Sequence, residues 1–271
     1  MSMTLAEKIR AAHPESDEVA IFYLAQAGFY FKSATGKTLC LDPYLSDCCE
    51  RMFGFKRMIP SVMRVRELEA DFLVSTHSHA DHLDPDLLDC VKTKRGMRFI
   101  GSPDCLPIYE KAGLPHERIT ILAAGESRTL DGIEFRAVYA DHGALAPEAG
   151  GFLIDLDGIT IYDTGDTSYC PDKLLNSLGD IEVDILLVPI NPAFGNPGHE
   201  NACKLAALIK PSVVIGSHFG MFTAHGGDPG AFLETAAKSL PHSIASYVMA
   251  PGEQMLYSRA RGIISTETLK L

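Results

Sequence analysis

The chain has 271 residues, 46% of them hydrophobic and 22% charged, with a formal net charge of −11. That is apolar material for one large domain or two small ones, and it argues against extensive disorder. A generally acidic surface repels phosphate backbones, which disfavours a nucleic-acid-binding protein.

In chain order, residues 4–12 have helical spacing and no apolar signal core precedes them. Residues 19–23 and 29–31 are apolar runs flanking an Ala-Gly turn, the signature of a hairpin. The apolar stretch over 19–31 contains Gln26 and Gly28 and is shorter than the roughly 20 residues a bilayer span needs, so no membrane association is expected. Residues 38–41 form a short strand that Asp42-Pro43 stops. The adjacent Cys48 and Cys49 belong to an odd set of seven cysteines without a C-x-x-C spacing. Such thiols are expected to be reduced and partly packed, in a cytoplasmic protein.

Residues 51–66 hold Arg51, Lys56, Arg57, Arg64 and Arg66 and no acid. In so acidic a chain this patch suggests an anionic substrate, with Arg57 the first candidate for a phosphate. Met52, Phe53, Phe55 and Met58 in the same segment are expected either to cap a site or to pack between subunits. Residues 72–75 form a buried strand and 84–93 a helix. Residues 135–139 alternate like a half-buried strand. Residues 152–154 and 159–162 pair across Asp157-Gly158, a strong two-residue hairpin turn. Residues 185–188 and 213–215 read as fully buried strands. The helix containing Ala202, Leu205, Ala206 and Ile209 follows the loop 191–198, and residues 229–240 form another. Strands and helices mixed throughout imply a layered α/β architecture, either a doubly wound sheet or two sheets faced by helices.

The stretch S-T-H-S-H-A-D-H-L-D-P, residues 75–85, places three histidines and two aspartates directly after a buried strand. Imidazole nitrogen and carboxylate oxygen are ligands for Zn²⁺, Mn²⁺ or Fe²⁺. Residues two apart in an extended segment point the same way, so His77 and His79 can face one metal, while Asp81 and His82 can address a second. Three further candidates follow apolar strands and sit beside glycines: His142 in Y-A-D-H-G, Asp166 in Y-D-T-G-D-T and His218 in V-V-I-G-S-H-F-G.

Together H-S-H-A-D-H, His142, T-G-D-T and His218 resemble the signature motifs of the metallo-β-lactamase superfamily. The resemblance implies a four-layer αββα sandwich, a single domain over residues 1–271. It implies one metal held by His77, His79 and His142 and a second held by Asp81, His82 and His218, with Asp166 bridging them. Y-L-A-Q-A-G-F, L-D-P-Y-L, D-H-L-D-P, T-G-D-T-S-Y and V-V-I-G-S-H-F-G-M-F resemble more narrowly the L-ascorbate-6-phosphate lactonase branch. That likeness implies a phosphorylated sugar lactone as substrate and a homo-oligomer.

Two divalent ions, Mn²⁺ or Zn²⁺, can hold a bridging water and lower its pKa toward neutrality for attack on a carbonyl. Asp81 can orient that nucleophile and accept its proton. His225, in F-T-A-H-G-G, is a candidate proton donor or substrate contact. Asn191, His199 and Asn201 surround a helix start whose free N–H groups suit a phosphate. A phosphodiesterase on the same scaffold is the alternative. A di-iron oxygen-reducing protein is disfavoured because His79 stands where that subgroup has glutamate. A non-catalytic binding module is disfavoured by the complete ligand set.

Overall fold

The computed structural model describes residues 3–267. Six strands come first: β1 (Glu18–Ala25), β2 (Gly28–Ser33), β3 (Thr38–Leu41), β4 (Phe72–Ser75), β5 (Arg98–Gly101) and β6 (Ile119–Ile121). The next seven are β7 (Ser127–Leu130), β8 (Ile133–Tyr139), β9 (Gly150–Leu156), β10 (Ile159–Asp163), β11 (Ile185–Pro189), β12 (Val213–Ser217) and β13 (Ala245–Val248). The chain ends with β14 (Gln254–Ser258) and β15 (Gly262–Glu267), which return to the first group. The two sheets have the orders β15-β14-β1-β2-β3-β4-β5-β6 and β13-β12-β11-β10-β9-β8-β7.

The sheets pack face to face because each strand supplies apolar residues in both directions. In β1, Val19, Ile21 and Tyr23 enter the core between the sheets, while Ala20, Phe22 and Leu24 face outward to helices. In β11, Ile185 and Leu187 point inward and Leu186 and Val188 outward. Strands covered on both faces read as continuous apolar runs.

Seven helices complete the described residues: α1 (Leu5–Ala11), α2 (Cys48–Phe53), α3 (Pro85–Val91), α4 (Leu106–Ala112), α5 (Pro171–Leu178), α6 (Gly198–Ile209) and α7 (Pro229–Ser239). Side chains of α1, α3 and α4 cover the outer face of the first sheet. Those of α5, α6 and α7 cover the second. The expected αββα sandwich is therefore present, and one inner core joins its halves. The single-domain expectation ran over 1–271; residues 1–2 and 268–271 lie outside the described range.

The helices expected over 4–12, 84–93 and 229–240 are α1, α3 and α7, trimmed at their ends by caps. Thr4 forms a capping box with Glu7, which satisfies two otherwise unbonded N–H groups. Asp84 caps α3 ahead of Pro85. All seven cysteines are free thiols, and Cys40, Cys48, Cys49, Cys105 and Cys203 are buried. No helix among the described residues is long and apolar enough to cross a membrane.

Candidate metal centre

Strands β3, β4 and β5 run parallel, as do β10, β11 and β12. Their carboxyl ends gather at one rim of the sandwich, where α/β sites form. The loop after β4 carries His77, His79, Asp81 and His82. The ends of β8, β10 and β12 bring His142, Asp166 and His218 from the other sheet. The potential ligand atoms fall into three groups, each within 4.8 Å: His77, His79 and His142; His77, His82 and Asp166; Asp81, His82 and His218.

His77 Nε2 lies 2.9 Å from His79 Nδ1, and His142 Nε2 lies 3.3 Å from the same atom. His218 Nε2 lies 3.2 Å from His82 Nε2 and 3.4 Å from Asp81 Oδ2. Asp166 stands between these sets. Its Oδ1 is 3.4 Å from His82 Nε2 and 3.3 Å from His218 Nε2, and its Oδ2 is 3.8 Å from His142 Nε2.

The far ring nitrogens of His82, His77 and His79 are held by oxygens, whereas His142 Nδ1 is buried without a partner. His82 Nδ1–H donates to Asp42 Oδ2 at 2.7 Å. Thr76 Oγ1 donates to the same carboxylate at 2.6 Å, so it accepts from His77 Nδ1–H at 3.1 Å. His79 Nε2–H donates to the Leu145 carbonyl at 3.2 Å. Each proton on a far nitrogen leaves a lone pair on the near one. The lone pairs of His77 and His79 thus face each other without a proton between them. Asp166 Oδ1 is likewise buried among imidazoles with no hydrogen bond. Convergent lone pairs and an unpartnered carboxylate oxygen fit divalent cations.

Electrostatics agree with that donor set. Burial, reinforced by His82, holds His77 well below the usual imidazole range, and burial lowers His142 as well. Burial opposes ionisation of Asp81 and Asp166, yet the surrounding histidines, His82 and His218 foremost, pull both carboxyls well below their usual values. Burial opposes a charge on His82, but Asp166 and Asp42 outweigh it and raise that imidazole. Neutral imidazoles and ionised carboxylates are the forms that bind metal, so His77, His142, Asp81 and Asp166 are already in the binding form, while His82 would give up a proton as an ion enters.

Backbone strain concentrates here. Gln26, Asp42 and His218 have positive φ angles of 56°, 41° and 60°, each a cost of order 1–3 kcal/mol away from glycine. The roles of Asp42 and Gln26 cannot be read from the sequence. Asp42 lies in L-D-P-Y-L and Gln26 in Y-L-A-Q-A-G-F, so the motifs were visible while the contacts were not. Gln26 Nε2 reaches Asp81 Oδ2 at 2.8 Å, and its backbone carbonyl accepts the His218 N–H at 2.7 Å.

A cavity of about 350 Å³ opens over the cluster. His79, Asp81, His142 and Asp166 reach it, with walls of Met52, Phe53, Phe55, Leu145 and Phe194. Among the described residues no Lys or Arg lines it. His225 does line it, and burial, with His218 beside it, lowers that imidazole to about 4. Cys49, a buried free thiol, also lines it.

Four expected substrate contacts lie elsewhere, which corrects the phosphate-site reading. The Arg57 guanidinium donates to the carbonyls of Tyr44, Ser46 and Ile59 and sits over the Tyr44 ring. Its Nε and Nη1 donors tie the loops together, its Nη2 is buried without a partner, and the side chain does not line the cavity. Asn191 is buried and donates to the Ala193 carbonyl. Asn201 accepts from Lys204. His199 sits half-buried in the first turn of α6 and, like Asn191 and Asn201, does not line the cavity. The loop before α6 presents Phe194 to the cavity, an apolar wall where an anion cradle was expected.

A family model described as the beta-lactamase superfamily domain matches residues 39–219, a span holding every donor of the cluster. The chain belongs to the metallo-beta-lactamase superfamily. It is 25% identical over 248 residues to a UPF0173 metal-dependent hydrolase of Methanosarcina mazei, covering 88% of this chain and 98% of that protein. A metallo hydrolase from Ignicoccus hospitalis shares its fold with a TM-score of 0.68 at 21% identity, over 89% of this chain and 99% of that one. An isothiocyanate hydrolase from Delia radicum gut bacteria does so with a TM-score of 0.71 at 20% identity, over 88% and 99%. Gln26 and His225 lie outside the matched span.

Proposed function

We propose that the chain, a metal-dependent hydrolase by its superfamily and its donor set, opens small uncharged esters or lactones that carry an apolar group. The observation that carries this reading is the cavity: donors for metal on its floor, aromatic and aliphatic walls, and no basic side chain among its lining residues. The motifs D-H-L-D-P and T-G-D-T-S-Y, similar to lactonases, support an ester or lactone as the bond cleaved. The apolar walls move the reading away from a phosphorylated sugar, whose phosphate wants Arg or Lys.

His77, His79 and His142 would hold one ion and Asp81, His82 and His218 a second, with Asp166 between them. When bound, such ions activate water and polarise a carbonyl. The protein's own groups do the rest. Asp81 Oδ2 is engaged by Gln26 and faces His82 and His218. Its Oδ1 has no protein partner among the described residues and can accept the proton of an attacking water. Phe55, Phe194 and Leu145 enclose the apolar part of the substrate and exclude bulk water, which strengthens polar interactions at the floor. His225 also lines the cavity and offers a ring nitrogen to a substrate oxygen.

The test is an assay of Mn²⁺- and Zn²⁺-loaded protein on four probes: a 4-nitrophenyl ester, an aromatic lactone, a phosphorylated sugar lactone and bis(4-nitrophenyl) phosphate. The expected kcat/KM on the first two exceeds that on the last two by about a hundredfold. A preference for the phosphorylated lactone, or for the phosphodiester, would sink the reading.

A further inference from the structure

Gln26 sits in the turn between β1 and β2, fully buried. Its Nε2 lies 2.8 Å from Asp81 Oδ2, 3.0 Å from His218 Nε2 and 3.1 Å from His225 Nδ1. An ionised carboxylate only accepts, so the NH₂ end must face the cluster. The carbonyl end, Oε1, is left buried without a partner, a cost that a purely structural glutamine has no reason to carry. The NH₂ group has two hydrogens for three neighbours. With the His218 lone pair spent on a cation, Asp81 and His225 remain, one hydrogen each.

We propose that Gln26 is a positioning residue that fixes His225 as its Nε2–H tautomer, a neutral hydrogen-bond donor aimed at the substrate cavity. A lone pair on Nδ1 is required to accept from Gln26, so the ring proton resides on Nε2. Nε2 has no protein partner among the described residues, and His225 lines the cavity. The ring itself is clamped. It stacks on His218 with centroids 4.9 Å apart and planes 5° from parallel. Phe55, Phe194 and Phe222 meet it edge-on at 5.8, 5.2 and 4.9 Å. A donor so fixed can serve the oxygen that gains charge as an ester opens. That use rests on the hydrolytic reading, whereas the tautomer does not.

The decisive measurement is nitrogen-15 NMR of the His225 imidazole in the metal-loaded protein, made without substrate. A protonated Nε2 and a lone-pair Nδ1 are expected; a proton on Nδ1 overturns the proposal whatever the substrate proves to be. Gln26→Met keeps the length and removes both hydrogens. It is expected to lower kcat on the best ester or lactone about 10–100-fold, with KM within about twofold and metal content unchanged. His225→Phe should lose a similar factor, and the double variant no more than either single one. Additive losses in the double variant also overturn the proposal, since Gln26 would then act by another route. If Gln26→Met does not fold, the wild-type tautomer still decides.

Discussion

His79 shows what a single donor contributes. It is the half-buried member of its set, it faces both His77 and His142, and the carbonyl of Leu145 orients it. His79→Ala is expected to abolish hydrolysis and to lower bound metal, read by elemental analysis; full turnover with unchanged metal would exclude the centre as the active site. Asp42 acts one step further out, accepting from His82 and from both the N–H and the hydroxyl of Thr76. Asp42→Asn is expected to weaken metal binding or activity about 10–100-fold while leaving every ligand in place; a metal titration giving wild-type affinity would contradict this. The candidate ligands were legible in the sequence because histidine and aspartate at strand ends have few structural uses. Asp42 and Gln26 were not, because one aspartate before a proline and one glutamine in a turn are ordinary residues until their partners are known. Arg57 misled for the converse reason: charge is visible in a sequence, but the three carbonyls that absorb it are not.

Among the elements, the loop from β4 to α3 does the most with the fewest residues. Asp84 ends it. Its carboxylate caps α3 through the N–H groups of Asp86 and Leu87 and also accepts from the backbone of Leu45 and Ser46 and from the Ser46 hydroxyl. The D-P pair after the ligands is therefore a clamp between two loops, with proline preset for the first helical turn. Asp84→Ala is expected to destabilise by more than a simple cap, about 2–4 kcal/mol, because buried N–H groups lose their acceptor. Urea unfolding of the apoprotein would check this, and a loss below about 1 kcal/mol would reduce Asp84 to a surface cap. Elements with strong apolar runs, such as β1, β11 and β12, were recognisable from composition alone. The strand β7 is almost wholly exposed, and β15 is an edge whose second half is exposed. Neither carries an apolar period, so only pairing with a neighbour makes them strands.

At the scale of the molecule, the centre is a bridge between halves. His77, His79, Asp81 and His82 belong to the first sheet, and His142, Asp166 and His218 to the second. Metal bound there would hold the two sheets together at the rim, in addition to the apolar core between them. Removing it with a chelator is expected to lower the thermal midpoint by about 5–10 °C, from roughly 3 kcal/mol of linkage at a hundredfold excess over Kd. Calorimetry before and after chelation would show it, and re-addition of Mn²⁺ or Zn²⁺ should restore the midpoint. An unchanged midpoint would mean that the ligands do not share an ion across the sheets.

The sequence by itself determined the kind of site and the kind of fold. Ligand chemistry is carried by residue type and spacing, and two-faced burial writes itself into apolar runs. Only the tertiary structure decided what surrounds the site. Whether a basic segment meets a substrate or its own carbonyls, and whether a loop offers N–H groups or a phenyl ring, depends on partners distant in the chain. Gln26 lies 55 residues from Asp81 and 199 from His225, and no local pattern encodes a hydrogen bond across that separation.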